Sequence, residues 1–328
     1  ASCLVGSEMC IRDRNFLKGS LATLFLAGSG IPVYSSTKTK KNLVVVMLRG
    51  GMDALCAVPV IGDKDFEKRR KHLILDNTIK LNSDFALHPV LKSFHELWKE
   101  KKGTVVHATN IPYTERSHFD GQNLMESGGK IPYKVKTGWL GRGMKVAGLK
   151  QEGLALALPM PLLLRGVPQN NNYFPTKGKL PTDKVLSLLK DVYKDSSEDE
   201  LIGMLEIIKS RPKERSYAAD DLYSLANEAG TLMKEPDGPR VAVFEVGGFD
   251  THAAQGGVHG THSDCLKDMD LIFATLKKRL KEEFDNTLIV TLTEFGRTIK
   301  QNSGLGTEHG LSLIHISEPT RQEAISYS

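Results

Sequence analysis

The feature that most constrains this chain is a pattern occurring four times: a short apolar, β-branched run that ends in small and then charged residues. Arg240–His252 (RVAVFEVGGFDTH) is the clearest copy. Val241–Phe244 reads as a buried strand, Gly247 and Gly248 break it, and Asp250 and His252 follow. Leu43–Asp53, Gly103–Asp120 and Thr287–Arg297 repeat the layout. A strand–helix–strand order implies parallel pairing with right-handed crossovers. In open α/β sheets, ligands sit outside the carboxyl ends of the strands. The pattern therefore predicts an α/β protein with a mostly parallel sheet, helices on both faces and one polar site along one edge.

The intervening segments supply the helices. Leu87–Trp98 carries apolar residues at helical spacing, with His88 and His95 expected at its surface or cap. Arg116-Ser117-His118-Phe119-Asp120 is expected to open a helix running through Leu124. Ser117 there is placed either as an N-cap or as a nucleophile near an anion site. Leu154–Leu158 and Pro161–Arg165 are short candidate strands. Between Gly166 and Pro239 the composition turns charged and helix-favouring, in Lys184–Lys194, Glu198–Lys209 and Ala218–Lys234. That region is read as an inserted helical lobe over the site. Leu266, Met269, Ile272, Phe273, Leu276 and Leu280 form one face of a helix expected to pack on the sheet.

The two ends stand apart. Ser312–Glu318 can be written in codons whose reverse complement, shifted by one base, encodes Ser7–Asp13. Two protein termini have no reason to be complementary, so residues 1–13 and 311–328 are read as translated sequencing adapter and set aside. The expectation is then a fragment of a longer reading frame. Arg14–Lys18 (RNFLK), the apolar Leu21–Ala27 and the small residues after them have the order of an export signal. R-x-F-L-K resembles the second half of a twin-arginine signal, which implies the twin-arginine export machinery as a partner and a periplasmic or secreted location. The apolar stretch is shorter than the ~20 residues of a membrane span.

Composition excludes some classes. A formal net charge of +5 over 328 residues, with scattered lysines, gives no basic stripe for nucleic acid. Of four cysteines, Cys3 and Cys10 lie in the adapter-like segment, and Cys56 and Cys265 make no disulfide framework.

The strand ends and glycine turns carry Asp53, Ser117, Asp250, His252, Glu294 and His309. Carboxylates and imidazoles suit zinc, and carboxylates with water suit magnesium, manganese or calcium. Two divalent ions roughly 4 Å apart would activate a hydroxyl for in-line displacement. Arg49, Arg116 and Arg297 supply cations for a phosphate or sulfate group.

LRGGMDAL, RSHFDGQ, TGWLGR, GGFDTH, TEFGRT and GTEHG occur in an order and spacing that resembles domain-of-unknown-function family 1501. That family is similar to the alkaline phosphatase and sulfatase superfamily of metal-dependent α/β hydrolases. The resemblance implies an alkaline-phosphatase-like fold, Ser117 and His118 as catalytic residues, and Asp53, Asp250, His252, Glu294 and His309 as metal ligands. It also implies a small-molecule or glycan ester as substrate. Two departures stand out: Glu294-Phe295 replaces the superfamily's Asp-His, and Glu308 stands where Asp is commoner. Outside the adapter-like end, where Ser317-Glu318-Pro319-Thr320-Arg321 falls, no Cys/Ser-x-Pro-x-Arg occurs, which disfavours a formylglycine sulfatase. The competing expectation is a non-catalytic exported binding protein on a degenerate fold of the same kind.

Overall fold

The computed structural model describes residues 41–149, 152–157, 159–167, 170–173, 183–193, 221–310 and 313–318. In chain order the strands are β1 (Asn42–Leu48), β2 (Ile79–Lys80), β3 (Ala86–Leu87), β4 (Thr104–Thr109), β5 (Gly153–Leu156), β6 (Asn171–Asn172), β7 (Val241–Val246), β8 (Thr287–Leu292), β9 (Arg297–Gln301), β10 (Thr307–His309) and β11 (Leu313–Glu318). The helices are α1 (Ala54–Ala57), α2 (Lys64–Arg69), α3 (Lys92–Lys99), α4 (His118–Ser127), α5 (Trp139–Val146), α6 (Asp183–Tyr193), α7 (Leu222–Lys234) and α8 (Thr261–Leu280).

Seven strands form the main sheet in the order β4-β11-β8-β1-β7-β5-β6. β1 lies between β7 and β8 and is parallel to both, with Leu43 opposite Val241 on one side and Leu288 on the other. Every residue of β1 is buried. A central parallel strand is covered on both faces, which is why it reads as an unbroken apolar run. Each such Val or Leu contributes roughly 1.5–3 kcal/mol by leaving water.

The pleat sends alternate residues to opposite faces. Val44, Val46 and Leu48 join a core with Phe94 of α3, Ala229 of α7 and Ile272 of α8. Leu43, Val45 and Met47 join a second core with Met125 of α4 and Leu140 of α5. Helices thus cover both faces, as the sequence predicts.

Several local expectations differ from the structure. Leu162–Leu164 is a 3-10 turn, not a strand. The helix expected from Leu87 starts only at Lys92. Pro89 disfavours helical backbone before it, and the Val90 N–H donates to His88 Nδ1 instead. His88 itself is buried, its Nε2 against the Gly257 carbonyl. In the region read as a lobe, α7 belongs to the core, with Leu225, Ala226, Ala229 and Met233 buried. Residues 198–209 and the signal-like segment lie outside the described residues. No helix among the described residues is long and apolar enough to cross a membrane.

Leu313–Glu318, set aside in the sequence, forms β11. It pairs antiparallel with β4 and β8 in an otherwise parallel sheet. Two neighbouring strands with open hydrogen-bonding edges accept any segment of suitable β-propensity, and Leu-Ile-His-Ile is one.

Candidate metal centre

Close backbone approach builds the site at the carboxyl ends of β1, β7 and β8. After β1 the chain turns at Gly50, whose φ is +115°. A Cβ there would lie 2.5 Å from the Asp250 backbone nitrogen. Only glycine lets the Phe249–Asp250 segment cross at that point. The Gly50 N–H donates to Glu294 Oε1 at 2.8 Å, which ties the end of β1 to the segment after β8. Phe249 is fully buried beneath the turn and anchors it.

Four side chains converge there. Asp250 Oδ1 lies 3.0 Å from His252 Nε2, 3.2 Å from His309 Nε2 and 3.3 Å from His118 Nε2. His118, Asp250 and His309 each turn one ligand atom into a group spanning at most 4.8 Å. The other ring nitrogens are all engaged. His118 Nδ1 is 2.8 Å from Glu294 Oε1, His252 Nδ1 is 2.9 Å from Glu308 Oε2, and His309 Nδ1 is 2.9 Å from the Arg116 carbonyl. These acceptors assign the proton to Nδ1 and leave each Nε2 lone pair facing the centre. Histidines that bind metals are held in this way. His118 Nε2 is buried and makes no hydrogen bond, an orphaned acceptor that a cation would satisfy. The donor set of nitrogen and carboxylate oxygen fits zinc.

The electrostatics separate the groups. Burial pushes the Asp250 carboxyl up, but the hydrogen bond and the charge of the Arg297 guanidinium outweigh it, leaving its pKa at about 2. The hydrogen bond to Glu294 raises the His118 pKa above that of a free histidine. Burial lowers that of His309. Burial also opposes ionisation of Glu294, yet bonds from His118 and Gln122 hold its carboxyl below the usual range.

The other residues singled out in the sequence have different placements. Glu294 is fully buried, bonded to His118 Nδ1 and to Gln122 Nε2 at 3.0 Å, so it orients an imidazole. Ser117 is the N-cap of α4, its Oγ 3.5 Å from the Asp120 N–H, the outer limit of a capping bond. Arg116 is exposed, with φ at +62°.

Two arginines correct the expectation of anion binding. The Arg297 side chain is buried and donates to the carbonyls of Gly51, Thr307, Gly50 and Phe249 as well as to Asp250 Oδ1 at 2.6 Å. Arg49 is held between Glu126 at 2.7 Å and Glu245 at 2.5 Å. Neither guanidinium is free to meet a ligand. Asp53 is buried against Arg70, outside the grouped ligand atoms. Sequence reasoning missed the orienting role of Glu308 and the ligand-like placement of His118. The one available signal for His118 was its position at a helix start beside a strand end.

The fold and site define an α/β protein whose parallel sheet carries a histidine–carboxylate centre at its carboxyl edge. Residues 40–315 match the family described as protein of unknown function (DUF1501), and the chain belongs to that family. No curated protein matches it in sequence. Among solved structures it is similar to the C-terminal periplasmic domain of EcEptC from Escherichia coli, in complex with Zn. Identity there is 12%, over 87% of this chain and 75% of that one, with a TM-score of 0.42. It is also similar to the phosphonate monoester hydrolase of Agrobacterium radiobacter, at 12% identity, 84% and 68% coverage and a TM-score of 0.38. Murine ectonucleotide pyrophosphatase/phosphodiesterase 5 matches at 13% identity with a TM-score of 0.36. The match covers 79% of this chain but only 58% of the murine one.

Proposed function

We propose that this chain is an exported, metal-dependent hydrolase of phosphate or sulfate esters. One observation carries the reading: three imidazole Nε2 atoms surround Asp250 Oδ1, and each ring is fixed by a partner on its other nitrogen. His118, His309, Asp250 and His252 are the residues that would hold the cation, most suitably zinc. When bound, the cation would supply Lewis acidity, lowering the pKa of an attacking hydroxyl and drawing charge from the ester oxygens.

The chain's own residues supply the rest. Ser117 sits at the start of a ten-residue helix, where free backbone N–H groups and the helix dipole favour an anion. Its Oγ would bond to phosphorus or sulfur as the ester's alkoxide leaves, and water would then release the serine. Arg116, exposed beside it, is the arginine left to meet the anion. Export by the twin-arginine route, and a periplasmic or secreted location, rest on Arg14–Lys18 and the short apolar stretch after it.

The test is metal analysis of the purified protein together with turnover of aryl phosphate and aryl sulfate, wild type beside Ser117→Ala. Bound metal with activity lost in the variant supports the reading; absence of both metal and turnover overturns it. The capping role of Ser117 favours a second reading, a binding protein for glycan or small-molecule esters that does no chemistry. Metal and ligand uptake, with turnover absent in wild type and variant alike, would select it.

A further inference from the structure

The buried pair Asp53–Arg70 lies outside the grouped ligand atoms, yet it is wired to them. Arg70 follows α2 and is completely buried, as is Asp53. Its Nη1 and Nη2 meet the two Asp53 oxygens at 2.5 and 3.0 Å, and its Nε and Nη2 also donate to the carbonyls of Ile299 and Thr298 at 2.8 Å. Gln255 Nε2 donates to Asp53 Oδ2 at 2.6 Å. With both Asp53 oxygens engaged, the carboxylate has little left to offer a cation. Gln255 Oε1 in turn accepts from Thr251 Oγ1 at 3.1 Å and Thr307 Oγ1 at 2.8 Å. Thr251 stands between Asp250 and His252, and Thr307 is two residues before His309. Between the same two loops, the Thr307 N–H donates to the Thr251 carbonyl. At the centre itself, Asp250 is already neutralised on one side by the Arg297 guanidinium.

We propose that Asp53 is a positioning residue: through Arg70 and Gln255 it holds the Asp250–His252 loop against the Thr307–His309 strand, and the centre takes one divalent ion. The inference rests on the metal-centre reading above and corrects the ligand role that family resemblance gives Asp53. A carboxylate with both oxygens engaged by a guanidinium and an amide fixes geometry without binding the ion. Partners at that remove from a metal commonly set its affinity by ten- to a hundredfold.

The experiment titrates the metal-free protein with Zn2+ against a competing chelator and records imidazole nitrogen signals by NMR. It compares wild type, Gln255→Met, Arg70→Met and Asp53→Asn. The expected wild-type stoichiometry is one ion per chain. Gln255→Met keeps one ion, binds it about ten- to a hundredfold more weakly, and moves the His252 and His309 signals in the metal-free state. Arg70→Met, if it folds, also weakens binding, whereas freeing a true ligand would strengthen it. Two ions in wild type falling to one in Asp53→Asn would overturn the proposal. So would a Gln255→Met protein with lower Tm but unchanged affinity and unchanged imidazole signals. If wild type takes up no ion, the hydrolase reading falls on its own, and the metal-free imidazole signals of Gln255→Met alone decide the positioning role.

Discussion

His252 Nε2 and His309 Nε2 lie 2.8 Å apart, while the Nδ1 of each ring faces its own acceptor. Two imidazoles that both carry the proton on Nδ1 turn lone pairs toward one another, which is repulsive unless a proton or a cation lies between. Uptake of a metal ion should therefore expel a proton. Calorimetric titration in buffers of different ionisation heat measures it. Proton release on ion uptake is expected, and a heat independent of buffer would sink the arrangement.

Asp250→Asn should abolish or strongly weaken metal binding and leave the helical far-UV signal unchanged. Asp250 Oδ1 lies within 3.3 Å of all three Nε2 positions, and an amide oxygen brings no charge to the cation. Unchanged metal content by elemental analysis would remove Asp250 from the centre.

Ser117→Ala separates capping from chemistry. Loss of an N-cap costs roughly 0.5–2 kcal/mol, and a 3.5 Å bond belongs at the low end. Urea denaturation should show a loss of about 0.5 kcal/mol, whereas ester turnover should disappear. A loss in stability with full turnover would leave Ser117 as a cap alone.

His262 makes stability depend on pH. It is completely buried and lies edge-on to Phe249, and burial pushes its pKa down to about 4, against a smaller upward pull from Asp53. The unfolded chain binds a proton near pH 6.5, the folded one only near 4. The contribution to stability is complete above about pH 6.5 and is lost as pH falls toward 4, by about 3 kcal/mol in all. Urea midpoints at pH 7 and pH 4.5 should differ accordingly. His262→Gln should flatten the profile, and an equally steep profile in that variant would assign the effect elsewhere.

Asp270 in α8 accepts from the Ser93 and Phe94 N–H groups at 2.9 Å and so caps α3 from a distant helix. Asp270→Ala leaves one buried and one half-buried donor without that partner and should cost about 2 kcal/mol. Metal affinity should not change, because Asp270 touches no group of the centre. A measurable fall in affinity would show coupling through α8.

Much of the sheet was legible because buried parallel strands are continuous apolar runs. Thr287–Leu292 forms β8 with the bounds read from sequence, and Leu43–Leu48 falls within β1. The shared location of Asp250, His252 and His309 was legible too, since each follows a strand or glycine turn at the expected edge. The roles of Arg297 and Asp53 were not, because their partners are remote. Arg297 meets Gly50 across 247 positions, and Asp53 meets Gln255 across 202. Local spacing cannot tell an arginine that binds an anion from one that clamps four carbonyls.

Within the described part of the sheet, β4 has β11 as its one partner, and β11 bridges it to β8. Removing residues 311–328 should leave β4 detached from β8, lower Tm by about 5 °C or more, and speed hydrogen exchange at the β4 amides. Unchanged Tm and unchanged exchange at β4 after that removal would show that β11 adds nothing to the sheet's stability.

The Arg116 carbonyl that holds the His309 ring belongs to a residue 193 positions earlier in the chain. Order of synthesis therefore matters. A ribosome has made most of the parallel strands before the His309 imidazole emerges, so a nascent chain shorter than that lacks one of the four side chains proposed to hold the cation. On that reading, a polypeptide that stops short of His309 would have the scaffold of the centre without the imidazole that closes it.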